Sequence, residues 1–230
     1  MLKTALTDVL QLFFPHVCTG CGSDVVNSGN MLCLRCTAEL PVTNFFDQKG
    51  NPVEEKFYGR MAIKSAAAAY YFTKDSMLEN LVYQLKYQGN KDIGVYLGKL
   101  MGEMLQQSQR FQDVDAIIPL PLNKRREKKR GYNQATAIAN GIHSVWDKPL
   151  LDKAVLRTIY TETQTRKDRL SRWENMQGVF AIAQPEALRG KHLLLIDDVV
   201  TTGASLETCG MEILKVDGVT LSLATVACTS

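Results

Sequence analysis

Four cysteines in the first forty residues stand as two C-x2-C pairs, Cys18-Thr-Gly-Cys21 and Cys33-Leu-Arg-Cys36, with eleven residues between them. Two knuckles at this spacing can set four thiolates around a tetrahedral Zn²⁺, and so short a segment has too little apolar surface to fold without such a staple. Redox-active dithiols are the rival chemistry, although a thioredoxin-like enzyme uses a single pair. A site closed by four thiolates keeps no open coordination position, so its zinc would be structural. His16 is near enough to ligate, but beside a complete set of thiolates it reads as a surface or supporting residue. Cys209 and Cys228 stand alone and are expected as ordinary buried thiols.

A second chemistry-bearing run is Leu193-Leu-Leu-Ile-Asp-Asp-Val-Val-Thr-Thr-Gly-Ala-Ser205. Leu193–Ile196 reads as a buried parallel strand with Asp197 and Asp198 at its carboxyl end, followed by a turn into a helix. Ligands of open α/β sheets bind beyond the carboxyl ends of strands. The turn can present backbone N–H groups, the hydroxyls of Thr201, Thr202 and Ser205 and the positive end of the helix to a phosphate, with Gly203 letting the backbone come close. The two carboxylates are then placed for ribose hydroxyls or Mg²⁺. The plainer alternative is an N-capped helix after a strand that happens to end in two acids. Adjacent unpaired carboxylates are electrostatically unfavourable without a cation or sugar, which counts against it.

A third run is basic. Asn123-Lys-Arg-Arg-Glu-Lys-Lys-Arg-Gly-Tyr-Asn133 carries six positive side chains and one acid, and residues 123–173 hold thirteen Lys/Arg against five Asp/Glu in a chain of net charge only +3. Such asymmetry suits a polyanion, and Lys124, Arg125, Arg126, Lys128, Lys129 and Arg130 are candidate contacts to a nucleic-acid backbone. A solvated helix face is the competing reading. Tyr132 with Trp146 or Trp173 could stack on unpaired bases, although such sparse aromatics more often belong to a core.

These groups need a scaffold, and the chain is long enough to build one. Its 230 residues (25.7 kDa) with 45% hydrophobic and 22% charged side chains suit one large domain plus an accessory module, and exclude a collagenous or wholly disordered chain. No apolar run reaches the roughly 18 residues of a membrane span. Residues 1–14 read as a short amphipathic helix ended by Pro15, not a signal peptide, because Asp8 and Gln11 interrupt the apolar run and no Ala-x-Ala site follows. Six cysteines without an export signal point to a reducing cytoplasm.

Residues 1–45 are expected to form the zinc-ribbon module and residues 46–230 the main domain, with 41–60 a partly packed connector. Strands are predicted over Ile63–Phe72, Ala116–Pro121, Val179–Ile182, Leu193–Ile196 and Leu221–Cys228. Helices are predicted after Ser76, over Ile93–Gln107, over Tyr132–Val145 and over Ala204–Lys215. The alternation implies an α/β fold with a twisted, mainly parallel sheet flanked by helices. Residues 147–178 break the rhythm and read as a hairpin, a hood or a mobile loop.

Leu193–Ser205 resembles the ligand loop of type I phosphoribosyltransferases, which bind 5-phosphoribosyl-1-pyrophosphate (PRPP). Further residues make the chain similar to the ComF competence family, an amidophosphoribosyltransferase-like group with an N-terminal double zinc ribbon. They are Leu12-Phe-Phe-Pro-His-Val-Cys-Thr-Gly-Cys-Gly22, Leu85-Lys-Tyr-Gln-Gly89, Ile118-Pro-Leu-Pro-Leu122, Arg130-Gly-Tyr-Asn-Gln134, Thr163-Gln164, Arg169, Arg172, Asn175 and Gly178-Val-Phe180. The resemblance implies that Asp197 and Asp198 meet the ribose hydroxyls and that the loop Asp197–Ser205, including Val199, Val200 and Ala204, encloses the ligand, with Thr201–Ser205 on the 5-phosphate. It implies that Pro119-Leu120-Pro121 forms the pyrophosphate loop, that Lys86 and Arg130 are further anion contacts, and that Arg166–Arg172, with Arg169, belongs to a closing loop. Mg²⁺ is implied as the partner of PRPP.

Purine-salvage enzymes place an Asp base where Thr201 stands, so that activity is set aside. No N-terminal cysteine nucleophile or glutaminase domain is read, which sets aside a complete glutamine-dependent amidotransferase. Three functions remain open. The first is a cytoplasmic competence protein handling incoming single-stranded DNA with DNA-uptake proteins as partners. The second is an active phosphoribosyltransferase, a glycosyltransferase moving the pentosyl group of PRPP to an amine or base. The third is a PRPP-sensing regulator.

Overall fold

The computed structural model describes residues 17–26, 30–158 and 178–229. The expected N-terminal helix, His16, and the run holding Arg166, Arg169, Arg172 and Trp173 lie outside them.

Four strands, β1 (Ser65–Tyr71), β2 (Ala116–Pro119), β5 (His192–Val200) and β6 (Thr220–Cys228), form one parallel sheet in the order β1-β6-β5-β2. Leu193–Ile196 and Leu221–Ala227 are buried, as continuous apolar runs in a sheet covered on both faces must be. Helices α3 (Met77–Tyr87), α4 (Lys91–Gln107) and α6 (Gln134–Val145) lie on one side, and α8 (Ala204–Ile213) packs against β5 and β6. Ser76 caps α3 as its sequence predicts, its hydroxyl accepting from the Glu79 N–H at 3.1 Å. On α4, Gly94, Gly98 and Gly102 recur every four residues and let α6 approach backbone to backbone: a Cβ at Gly98 would stand 2.1 Å from the Ile138 carbonyl oxygen. The expected α/β architecture with a parallel sheet is therefore the observed one.

Residues 41–51 lie along the outer edge of β1. The Thr43 N–H donates to Ala69 O, the Tyr71 N–H to Pro41 O and Asn51 Nδ2 to Ala66 O. Helices α1 (Leu34–Ala38) and α2 (Pro52–Glu55) flank this stretch, and Asn51, fully buried, caps α2. Along β2 the outer edge is covered too: Ile117 N–H donates to Pro149 O and Leu151 N–H to Ile117 O.

Two strand expectations change. Leu193–Ile196 extends to Val200, because β6 supplies backbone partners as far as the Val200–Cys228 pair and this pairing outweighs the polar Asp-Asp step. Val179–Ile182 contributes only β4 (Phe180–Ile182), which pairs antiparallel with β3 (Val155–Arg157) outside the main sheet; α7 (Pro185–Leu188) then leads into β5. The basic run folds as α5 (Lys124–Arg130), capped by Asn123 and ended by Gly131 at φ 86°.

Candidate functional site

The four cysteines converge. The sulfur atoms of Cys18, Cys21, Cys33 and Cys36 all lie within 4.8 Å of one another, and Cys21 and Cys33 are 3.7 Å apart. A tetrahedron with Zn–S bonds of about 2.3 Å has edges of about 3.8 Å, so the donor set fits zinc. Burial raises the Cys18 thiol, but backbone N–H groups around Cys21, Cys33 and Gly20 favour its thiolate and bring it down to about 6. Gly20 packs close to the cluster: a Cβ there would stand 3.1 Å from Cys36 Sγ and 2.7 Å from Met77 Sδ, which would have to shift.

At the carboxyl end of β5 the chain turns through Thr201, Thr202 and Gly203 into α8. Gly203 adopts φ 77° and lies against the Phe57 ring, where a Cβ would meet two ring carbons at 2.8 Å. No side chain caps α8. Its first intrahelical bond runs from the Glu207 N–H to Gly203 O at 2.8 Å, and the N–H groups of Ser205 and Leu206 have no acceptor among the described residues. Thr201, Thr202, Ala204 and Ser205 are exposed around a recess of about 90 Å³ also lined by Asp197, Val199 and Val200. Oriented N–H groups, hydroxyls and a helix N-terminus form a cradle of phosphate size. Arg60, distant in sequence, donates to Thr202 O at 3.1 Å and pairs with Glu207, adding a positive charge beside the cradle.

The longer β5 separates the two carboxylates, because adjacent strand residues point to opposite faces. Asp198 points toward α3, where Lys86 Nζ stands 3.2 Å from its Oδ1; its Oδ2 is buried with no hydrogen-bond partner among the described residues. Asp197 belongs to the α8 side. Its charge, after burial, helps to push the Cys209 thiol up, and the Arg157 guanidinium acts on Asp197 from β3. Burial first, and then the neighbouring Asp198 charge, push the Asp197 carboxyl up to about 8. An orphaned carboxylate oxygen beside a raised carboxyl is a site short of a cation or of hydroxyl donors.

The turn after β2 holds Pro119, Leu120 and Pro121, the residues expected as the pyrophosphate loop. Pro119 and Pro121 have no N–H, and the Leu120 N–H donates to Ile196 O at 2.8 Å. Pro119 and Pro121 line a cleft of about 690 Å³ that also takes in Lys91, Lys124, Tyr132 and Arg157. Arg157, not singled out by sequence reasoning, rests over the Phe180 ring at 5.2 Å.

Helix α5 buries none of its residues, and its Arg130 bonds to Gln134. Arg126, Lys129, Arg130 and Lys86 line a second groove of about 510 Å³ together with Tyr87. Trp146 is buried, which removes it as a stacking surface, while the Tyr132 hydroxyl donates to Leu85 O and its side chain lines the cleft beside Pro119. Tyr83 and Tyr87 are the exposed rings beside this groove. Arg169 lies outside the described residues. Asp113, His192 and Ser222 line up as a hydrolase triad would, with His192 Nε2 2.8 Å from Ser222 Oγ and Nδ1 3.1 Å from Asp113. Ser222 is fully buried near the amino ends of the strands, so no substrate reaches it.

Competence protein F of Haemophilus influenzae is 26% identical over 210 residues, a match spanning 84% of this chain and 89% of that protein. The chain is a homologue of the ComF competence proteins. DNA utilization protein YhgH of Shigella flexneri is 31% identical over 145 residues, 60% of this chain. The match takes in only about three fifths (61%) of that relative's own length. Competence protein ComFC of Bacillus subtilis is 27% identical over 137 residues, 59% of this chain and 52% of ComFC. No protein-family model matches. Among solved structures, the glutamine PRPP amidotransferase of B. subtilis overlays 61% of this ComF homologue and 30% of its own chain, at 14% identity and a TM-score of 0.43. Among the described residues, no helix is long and apolar enough to cross a membrane.

Proposed function

We propose that this ComF homologue binds PRPP or a related phosphoribosyl ligand with Mg²⁺ at the carboxyl end of β5, and acts in the cytoplasm on single-stranded DNA during natural competence. Residues 1–45 serve as its zinc-binding module and 46–230 as the phosphoribosyl domain. The observation that carries the ligand reading is the uncapped start of α8 behind exposed Thr201, Thr202 and Ser205, next to an acidic pair with an orphaned oxygen. Ser205 and Leu206 N–H groups and the hydroxyls receive the 5-phosphate, and Arg60 adds charge. Asp197 and Asp198 accept from the ribose hydroxyls or hold the cation, and Lys86 pairs with Asp198 in their absence. Mg²⁺ neutralises the pyrophosphate, whose charge the side chains near Pro119–Pro121 offset only in part. The ComF relatives and the basic face of α5, exposed from Lys124 to Lys129, support the DNA reading.

Calorimetric titration of zinc-loaded protein with PRPP and Mg²⁺ tests the ligand reading, with Asp197→Asn/Asp198→Asn as control. Saturable binding lost in the variant is expected; a folded wild type that binds nothing overturns it. Zinc measured at one ion per chain, and lost in Cys18→Ser, is expected for the thiolate cluster.

A second reading, active phosphoribosyl transfer, is favoured by the 690 Å³ cleft, which leaves room for an acceptor near Arg157. It requires acceptor-dependent release of pyrophosphate in a screen of ammonia, amines and bases.

A further inference from the structure

Helix α3 carries Tyr83 and Tyr87 one turn apart on its outer face, 52% and 68% exposed, with ring centroids 5.1 Å from each other. Two large aromatic rings left side by side in solvent contribute little to the core, which α3 fills instead with Leu78, Leu81, Val82 and Leu85. Their position is fixed against the basic helix. The Arg130 guanidinium sits 5.9 Å from the Tyr87 ring centroid, and the Tyr132 hydroxyl just beyond α5 bonds to the Leu85 carbonyl of α3. The groove between the two helices is lined by cations from both, Lys86 on α3 and Arg126, Lys129 and Arg130 on α5, with no acid among its lining residues.

We propose that Tyr83 and Tyr87 are a stacking platform for unpaired bases, with the phosphates of the same strand running along Arg126, Lys129 and Arg130. This rests on the nucleic-acid reading of α5 and gives it selectivity: cations alone attract any polyanion, whereas a flat ring at the groove's rim takes only a base whose face is free. The geometry favours a single strand over a duplex, since bases stacked within a duplex cannot lie on a protein ring. Lys86 joins this groove to the acidic pair through Asp198, so the strand passes close to the phosphoribosyl site.

The test uses the full zinc-loaded chain and fluorescence anisotropy with two labelled probes of equal length, an oligo-dT and an abasic deoxyribose-phosphate oligomer. Wild type is expected to bind the dT probe about a hundredfold more tightly, roughly tenfold for each stacked base. Tyr83→Ala/Tyr87→Ala should erase that preference while leaving the salt dependence unchanged, and Tyr83→Phe/Tyr87→Phe, which keeps both ring faces, should retain it. Arg126→Gln/Lys129→Gln/Arg130→Gln should weaken both probes and flatten the salt dependence. Equal binding of the two probes by wild type, or a preference that survives the double alanine variant, overturns the platform and leaves the electrostatic reading standing. If wild type binds neither probe, the nucleic-acid reading of α5 falls and takes the platform with it.

Discussion

Neighbouring parallel strands β2 and β5 both end in a turn that leads toward a helix, and the two turns treat their polar groups in opposite ways. After β2, two prolines remove N–H donors, Leu120 N–H is bonded to β5, Asn123 caps α5, and Asn133 both caps α6 and donates to Leu120 O at 2.9 Å. The turn satisfies itself. After β5, the helix starts behind a glycine without a cap, two N–H groups lack acceptors, three hydroxyls face solvent and a buried carboxylate oxygen has no partner among the described residues. Hydrogen-bonding capacity that the chain leaves open is met by solvent or by a ligand, and this contrast is what the proposed ligand contact at the β5 turn rests on.

The sharpest way to break the contrast is Gly203→Ala. A methyl group at φ 77° and 2.8 Å from Phe57 must displace the turn. Losing two charge-assisted N–H contacts at roughly 1.5–3 kcal/mol each should weaken PRPP binding about a hundredfold or more by calorimetry. Affinity unchanged in this variant would mean that the ligand is held elsewhere.

Next in size is pH. Asp197 titrates at about 8 in the fold against an ordinary 3.8, so the folded chain holds this proton more tightly than the unfolded one. That contribution to stability is whole below about pH 4 and is lost as pH rises through 8, so the ligand-free protein should lose Tm over this range more steeply than Asp197→Asn. If the proposed Mg²⁺-PRPP site uses an ionised Asp197, its affinity should fall about tenfold for each pH unit below 8, a slope that the variant lacks.

Asn133→Ala probes the other turn. Loss of the cap and of the Leu120 bond should cost about 1–2 kcal/mol in denaturant unfolding while PRPP affinity stays within twofold. The smallest effect is expected for Arg60→Ala, whose guanidinium is partly exposed: about threefold weaker PRPP binding, vanishing at high salt.

Much of this contrast was legible in the sequence where chemistry is local. The cysteine pairs, the Asp-Asp step and the Thr-Thr-Gly-Ala-Ser turn each lie within a few residues, and the apolar runs around them announce strands. Contacts that join distant segments were not legible. Lys86 meets Asp198, Arg60 meets Thr202 and Phe57 meets Gly203 only because the sheet order brings them together. The extent of β5 was missed for the same reason, since its last four residues are strand only through β6. Tyr83 and Tyr87 gave no signal of their own: on a helix whose apolar face is already filled by leucine and valine, only the fold shows which rings are left outside.

The coverings along β1 and β2 bear on how this molecule meets others. With Pro41, Thr43 and Asn51 bonded to one outer strand and Pro149 and Leu151 to the other, the sheet keeps neither border as a template for a further strand. Among the described residues, β-augmentation at the borders of this four-stranded sheet is thereby closed off, and a partner meeting the sheet there must do so through side chains.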